Sequence, residues 1–93
     1  MSLDYNKISA VLGDTAQLAV FVHLLDKKDD YLSGIAEATG LSHSSIARVA
    51  MPLVCAGVFT ESKFGKQIRV FKLNEDSIIT IEARKFFEIL SEQ

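Results

Sequence analysis

Cysteine is nearly missing from this 93-residue chain, and the little there is already decides something. A lone Cys55 excludes an internal disulfide framework and any multi-cysteine zinc site, and a single thiol with no basic neighbour in sequence reads as inert more readily than as a redox switch. Histidine is almost as scarce. His23 and His43 lie far apart, so the chain offers no cluster of soft ligands, and neither a metal nor a cofactor is expected. Glycines are few and scattered: Gly34, Gly40, Gly57 and Gly65 read as turn positions rather than a phosphate-cradling loop, and no nucleophile–base pair stands out, so no enzyme is expected. Long apolar runs are absent too, with none approaching the roughly 18–20 residues of a membrane span. The start, Met1-Ser2-Leu3-Asp4, lacks the basic end and apolar stretch of a signal peptide. These absences together predict a soluble cytoplasmic protein that makes no contact with membrane.

What is present is apolar. The chain is 48% hydrophobic with a mean hydropathy of +0.21 and a net charge of −2. Such a composition argues against disorder, and the length fits one domain over residues 1–93 with no room for a separate effector domain. A domain this small buries only about 60–65% of its unfolded surface, so the excess of apolar residues predicts that a partner chain covers part of it.

Periodicity divides the chain into five helices and a hairpin. Leu3, Ile8, Val11 and Leu12 mark a first helix over residues 3–12, broken at Gly13. Asp14-Thr15-Ala16-Gln17 reads as a capping box with Asp14 as the cap, opening a second helix in which Leu18, Phe21, Val22 and Leu25 share a face. The run Asp26-Lys27-Lys28-Asp29-Asp30 reads as a solvated turn rather than a metal site. Ser33 is the expected cap of a third helix of under two turns that stops at Gly40. Ser42 opens a fourth, running to Ala56, with Gly57 in the left-handed position beyond it and Pro52 predicting a kink or loosened turn within it. From Gly57 onward the pattern turns to β-branched and aromatic residues. Val58–Lys63 and Gln67–Leu73 predict a hairpin around Phe64-Gly65-Lys66, with Phe71, Leu73 and Arg69 on one face. Asn74-Glu75-Asp76 forms a turn into a last helix from Ser77 to about Ser91.

The most informative spacing lies between Ile35 and Val49. Two helices that cross closely need a small residue on the first, a glycine in the turn four residues later, and apolar residues on the second facing back to the core. Ala36, Gly40, Ile46 and Val49 fill those places, with Ile35 and Leu41 as further buried candidates. The opposite face carries Ser42, His43, Ser44, Ala47, Arg48 and Met51. Hydroxyls and free N–H groups at a helix N-terminus suit phosphate, a guanidinium suits a guanine edge or a phosphate, and Ala47 and Met51 offer apolar contact to a thymine methyl. The same serines would also serve as ordinary caps.

A helix-turn-helix followed directly by Gly57 and a two-stranded hairpin resembles the winged helix-turn-helix superfamily, in particular the small MarR-, ArsR- and PadR-like regulators. The likeness spans roughly residues 14–73 and is most family-like over Met51-Pro52-Leu53-Val54-Cys55-Ala56-Gly57-Val58-Phe59. It implies a mainly α fold with a small β-hairpin, in which residues 1–13 form an N-terminal helix, 14–73 the winged-helix core and 74–93 a C-terminal dimerisation helix. It also implies a homodimer that sets one recognition helix per subunit into the major groove of double-stranded DNA. By residue it carries Ser42, His43, Ser44, Ala47, Arg48 and Met51 onto the recognition surface and Lys63, Lys66 and Arg69 onto the wing. The chain departs from the metal-sensing members in lacking their clustered ligands.

Charge taken by segment agrees with that placement. Residues 1–41 set Lys7, Lys27 and Lys28 against Asp4, Asp14, Asp26, Asp29, Asp30 and Glu37, a net of −3. Residues 42–73 set Arg48, Lys63, Lys66, Arg69 and Lys72 against Glu61, a net of +4. Residues 74–93 set Arg84 and Lys85 against Glu75, Asp76, Glu82, Glu88 and Glu92, again −3. Apolar residues on the last helix exceed one stripe, so a dimer interface is expected from Ile79, Ala83, Phe86, Phe87 and Leu90 with Leu3 and Ile8 packed beside them. The expected function is that of a homodimeric DNA-binding transcriptional regulator associated with a prokaryotic nucleoid. A plasmid or viral partition protein that coats DNA, and a winged helix that binds protein and no DNA, are the alternatives.

Overall fold

Asp4, Thr15 and Ser42 each turn the chain into a helix by accepting a backbone N–H three residues on, from Lys7, Leu18 and Ser45 respectively. The computed structural model describes residues 3–93; Met1 and Ser2, part of the start weighed above against a signal peptide, lie outside them. Helix α1 spans Tyr5–Leu12, α2 Ala16–Lys27 and α4 His43–Cys55. The cap of α2 is Thr15 and not Asp14. Asp14 is engaged by the Tyr5 hydroxyl, which raises the Tyr5 pKa, and the Gln17 amide that would complete a capping box reaches instead to the Val49 carbonyl at 3.1 Å.

The stretch expected as a solvated turn contains a strand. After α2 the backbone turns at Lys28, with φ of 80°, into β1, Asp29–Tyr31. Three residues carry no readable period, and they are extended because a neighbouring strand offers a free edge: Asp29, Asp30 and Tyr31 pair with Lys72, Phe71 and Val70. Alternation then turns Asp30 inward, where it is only 8% exposed. Its carboxylate is met by His23 Nε2 at 2.8 Å, the Tyr31 backbone N–H at 2.8 Å and Lys27 Nζ at 3.7 Å.

Asp30 also explains the start of the next helix. Helix α3, Leu32–Thr39, has Tyr31 in the cap position with no side-chain bond, so the expected cap at Ser33 is not used. The Asp30 carboxylate lies over the first turn instead, where the helix dipole favours negative charge. A Cβ on Gly34 would overlap it, so glycine is required there by space. Gly40, with φ of 76°, ends α3 after eight residues, slightly over two turns where under two are expected, and its N–H bonds the Ala36 carbonyl at 2.9 Å.

Helix α4 is unbroken across Pro52. The proline removes the N–H that would serve the Arg48 carbonyl, and the adjacent Val49 carbonyl is the one that takes the Gln17 amide. Gly57, with φ of 79°, closes the helix by donating to Val54, and Val58 donates to Leu53. The hairpin follows as β2, Phe59–Phe64, and β3, Ile68–Leu73, in an antiparallel sheet ordered β1-β3-β2. Its helix-facing side presents Phe59, Phe71 and Leu73 to Val20, Leu24, Leu25, Ile35, Ile46 and Ala50, all buried. Phe21 ties this core to the last helix, α5 (Ile78–Ser91), by meeting Phe59 and Phe87 edge to face at 6.1 and 5.9 Å.

Helix α5 lies against α1 within the single chain, where the sequence places that pairing at a dimer interface, and is fastened at both ends. Arg84 donates to the Leu25 carbonyl at 2.8 Å, and Glu75 accepts from Lys28 and Arg84. The Lys28 hydrogen bond, supported by the Arg84 charge, holds the Glu75 carboxyl below its ordinary range. At the other end Lys7 donates to the carbonyls of Ser91 and Gln93. The architecture is therefore mainly α with a small three-stranded antiparallel sheet. Among the described residues no helix is long and apolar enough to cross a membrane. Replacing Gly34 with Ala should destabilise the fold by about 1–3 kcal/mol, read as a lower urea midpoint at unchanged slope, because the new methyl must displace the Asp30 carboxylate.

Candidate nucleic-acid interface

The turn between α3 and α4 aims one face of α4 at the core and leaves the other in water. Ile46 and Ala50 are buried, and Val49, Ala36 and Leu41 are half-buried against the same core. On the opposite side Ser42, His43, Ser44, Arg48 and Met51 are exposed, with Ala47 half-buried between them. The division follows the spacing that the sequence predicts. At the helix start, the Ser42 hydroxyl accepts from the Ser45 N–H at 3.2 Å and bonds the Ser45 hydroxyl at 2.9 Å. Ser42 is thus committed to capping. Among the described residues the N–H groups of His43 and Ser44 have no protein acceptor.

The hairpin brings Arg69 to the same region. Lys63 and Lys66 are exposed at its tip. Arg69 is not free: its guanidinium is ion-paired with Glu61 on the facing strand and stacked 5.4 Å over the Phe71 ring. Strand alternation puts Glu61, Arg69 and Phe71 on one face, so the pair is a clasp along the hairpin rather than an outstretched contact. Tyr31, Ser33, His43, Gln67, Ile68 and Arg69 line a groove that separates the start of α4 from the hairpin. The sequence assigns none of Tyr31, Ser33, Gln67 and Ile68 to a binding surface, and Ser33 is read there only as a helix cap. Only the pairing of β1 with β3 brings them beside His43, and a three-residue strand gives no period to read.

The cations sort by location. Lys27, Lys28, Arg84 and Lys85 each face a carboxylate, and Lys7 is held by two backbone carbonyls. Within residues 42–73, Arg69 is paired, while Arg48, Lys63, Lys66 and Lys72 form no ion pair among the described residues. Among the described residues, the Lys and Arg side chains left unengaged therefore all lie on α4 and the hairpin.

The residues expected at a dimer interface separate into two groups. Leu3, Ile8 and Phe87 are buried within the single chain, where α1 packs on α5, so they are core residues and not a surface for a partner. Ala83 and Leu90 are half-buried at the edge of that contact. Ile79 and Phe86 are exposed, and Ile78 and Ile89 join them on one side of α5 with Glu82 in their midst. Cys55 is exposed near the end of α4. His23, expected to be partly buried, is spent on Asp30. A further concavity of about 610 Å³ opens between α1, α2 and the end of α3, but the polar groups that border it are already engaged: Tyr5 with Asp14, His23 with Asp30, Thr15 as the cap of α2 and Thr39 with the Ile35 carbonyl. Among the described residues no three His, Cys, Asp or Glu side chains are grouped to hold a metal.

Comparison of the chain with protein-family models, curated proteins and solved structures gives no significant match. Burial predicts opposite outcomes for two adjacent phenylalanines. Phe87→Glu should lower stability by at least about 3 kcal/mol, whereas Phe86→Glu should leave the chain folded, with circular dichroism and urea unfolding as the measurements.

Proposed function

We propose that this chain is a double-stranded DNA-binding protein of winged-helix type that acts as a homodimer, in a regulatory role on DNA. The observation that carries the reading is the segregation of charge: among the described residues the Lys and Arg side chains left without a partner are Arg48 on α4 and Lys63, Lys66 and Lys72 on the hairpin, in a chain whose net charge is −2. Protein cations held by carboxylates gain little from phosphate, whereas free ones release counterions from DNA on binding. The exposed face of α4, with two open N–H groups at its start, supplies the element for the major groove, and the hairpin reaches the flanking strand. Four free cations are few for a monomer. The exposed side of α5, with Ile78, Ile79, Phe86 and Ile89, supports pairing of two chains, which doubles the contacts and gives a two-fold site with half-sites about one helical turn apart.

Selection of binding sites from random duplexes tests the reading most directly, and a short inverted repeat is the expected result. An absence of any enriched or retained duplex would overturn it. Arg48→Ala should weaken binding and reduce the salt slope by about one unit. Glu61→Gln should strengthen binding and steepen the slope, since it frees Arg69 from its clasp; both are read by titration of labelled duplex at several salt concentrations. Phe86→Glu should halve the mass in solution while preserving the helical content. A footprint that lengthens with protein concentration would mark coating of DNA, and a fixed footprint an operator.

A further inference from the structure

The hairpin tip carries two large apolar side chains where a water-facing turn would ordinarily be polar. Phe64 ends β2 and Ile68 begins β3. They are direct cross-strand partners, and they are 58% and 50% exposed. The turn that joins them is Gly65-Lys66-Gln67, with Gly65 at φ of 67°. Alternation along the strands places Lys63, Arg69, Phe71 and Leu73 on the helix-facing side and Phe64, Ile68 and Val70 on the other, so neither residue is needed by the core. Lys63 and Lys66 flank the pair and have no carboxylate partner among the described residues. Ile68 and Gln67 share a groove with His43, so the tip stands beside the start of α4 and one groove away from it.

Duplex DNA has a matching relief, a major and a minor groove separated by one sugar-phosphate ridge. With α4 in the major groove, the ridge would lie in the groove lined by Ser33, His43 and Gln67, with Ile68 on its hairpin-side wall, and the tip beyond would reach the neighbouring minor groove. Resting on the DNA-binding reading above, we infer that Phe64 and Ile68 form an apolar wedge that enters the minor groove and partly unstacks one base step, bending the duplex while Lys63 and Lys66 hold the flanking phosphates. Apolar side chains inserted in this way kink DNA by about 20–90°. Pyrimidine–purine steps open most readily, so the wedge also selects a flexible step at a position where no base edge is read.

The simpler role for the pair is to stabilise the hairpin, as aromatic and β-branched residues facing each other do. The test separates the two by using threonine, which keeps the β-branched preference for strand while removing most of the apolar bulk. The probe is a mixed-sequence duplex with one central TA step, dye-labelled at both ends for energy transfer, and a second copy with 2-aminopurine in that step. Wild-type protein should shorten the end-to-end distance and brighten the 2-aminopurine. The Phe64→Thr/Ile68→Thr double variant should lose both signals and bind about tenfold more weakly. Binding by the wild type with neither signal would overturn the wedge and leave the DNA-binding reading in place. Failure of the wild type to bind any duplex would remove both. A double variant that bends the duplex as the wild type does, or that changes mass in solution with the bend intact, would assign the pair to the hairpin or to a protein contact and overturn the wedge. The 2-aminopurine signal from the wild type stands as evidence even if the variant folds poorly.

Discussion

Asp30 is the point at which four elements meet. Its carboxylate takes a bond from His23 on α2, lies over Gly34 in the first turn of α3, and belongs to a strand zipped to β3 through Phe71. A nearly buried carboxylate is costly unless its oxygens are satisfied, and here His23, Lys27 and the Tyr31 N–H do so. The arrangement fixes the direction in which α2 hands over to α3. Because α4 follows α3 through a turn of only a few residues, the same carboxylate sets how the exposed face of α4 stands relative to the hairpin.

Much of this was legible in advance, and the reasons for the failures are specific. The helices show because their apolar residues recur at helical spacing and because Gly40 and Gly57 stop them in the left-handed conformation. The hairpin shows because β-branched and aromatic residues gather on both sides of Phe64-Gly65-Lys66. What the sequence hides is anything decided by a distant partner. Asp29, Asp30 and Tyr31 are extended only because β3 is there to pair with them, and a run of charges otherwise argues for solvent. The cap of α2 shifted by one residue because Tyr5 and Val49 compete for Asp14 and Gln17. The α4 face was legible from Ala36, Gly40, Ile46 and Val49, whereas Arg69 looked free until the register set it beside Glu61.

Apolar sequence in excess of one core also resolves into parts with different fates. Leu3, Ile8 and Phe87 are consumed inside the chain, and Ile78, Ile79, Phe86 and Ile89 are left on one side of α5. Composition alone gives the excess, but only burial says which residues constitute it. The same sorting applies to charge, where ten Lys and Arg side chains shrink to four without a partner among the described residues.

The position of β3 has a mechanical consequence. It is the central strand, bonded to β2 along its full length and to β1 at its inner half, and Arg69 is stacked on Phe71 where the hairpin leaves the helices. The third strand braces the hairpin only at Val70, Phe71 and Lys72, so its root is tied through Phe71 to Asp30 and the helices, while the tip at Phe64 and Ile68 extends beyond that support.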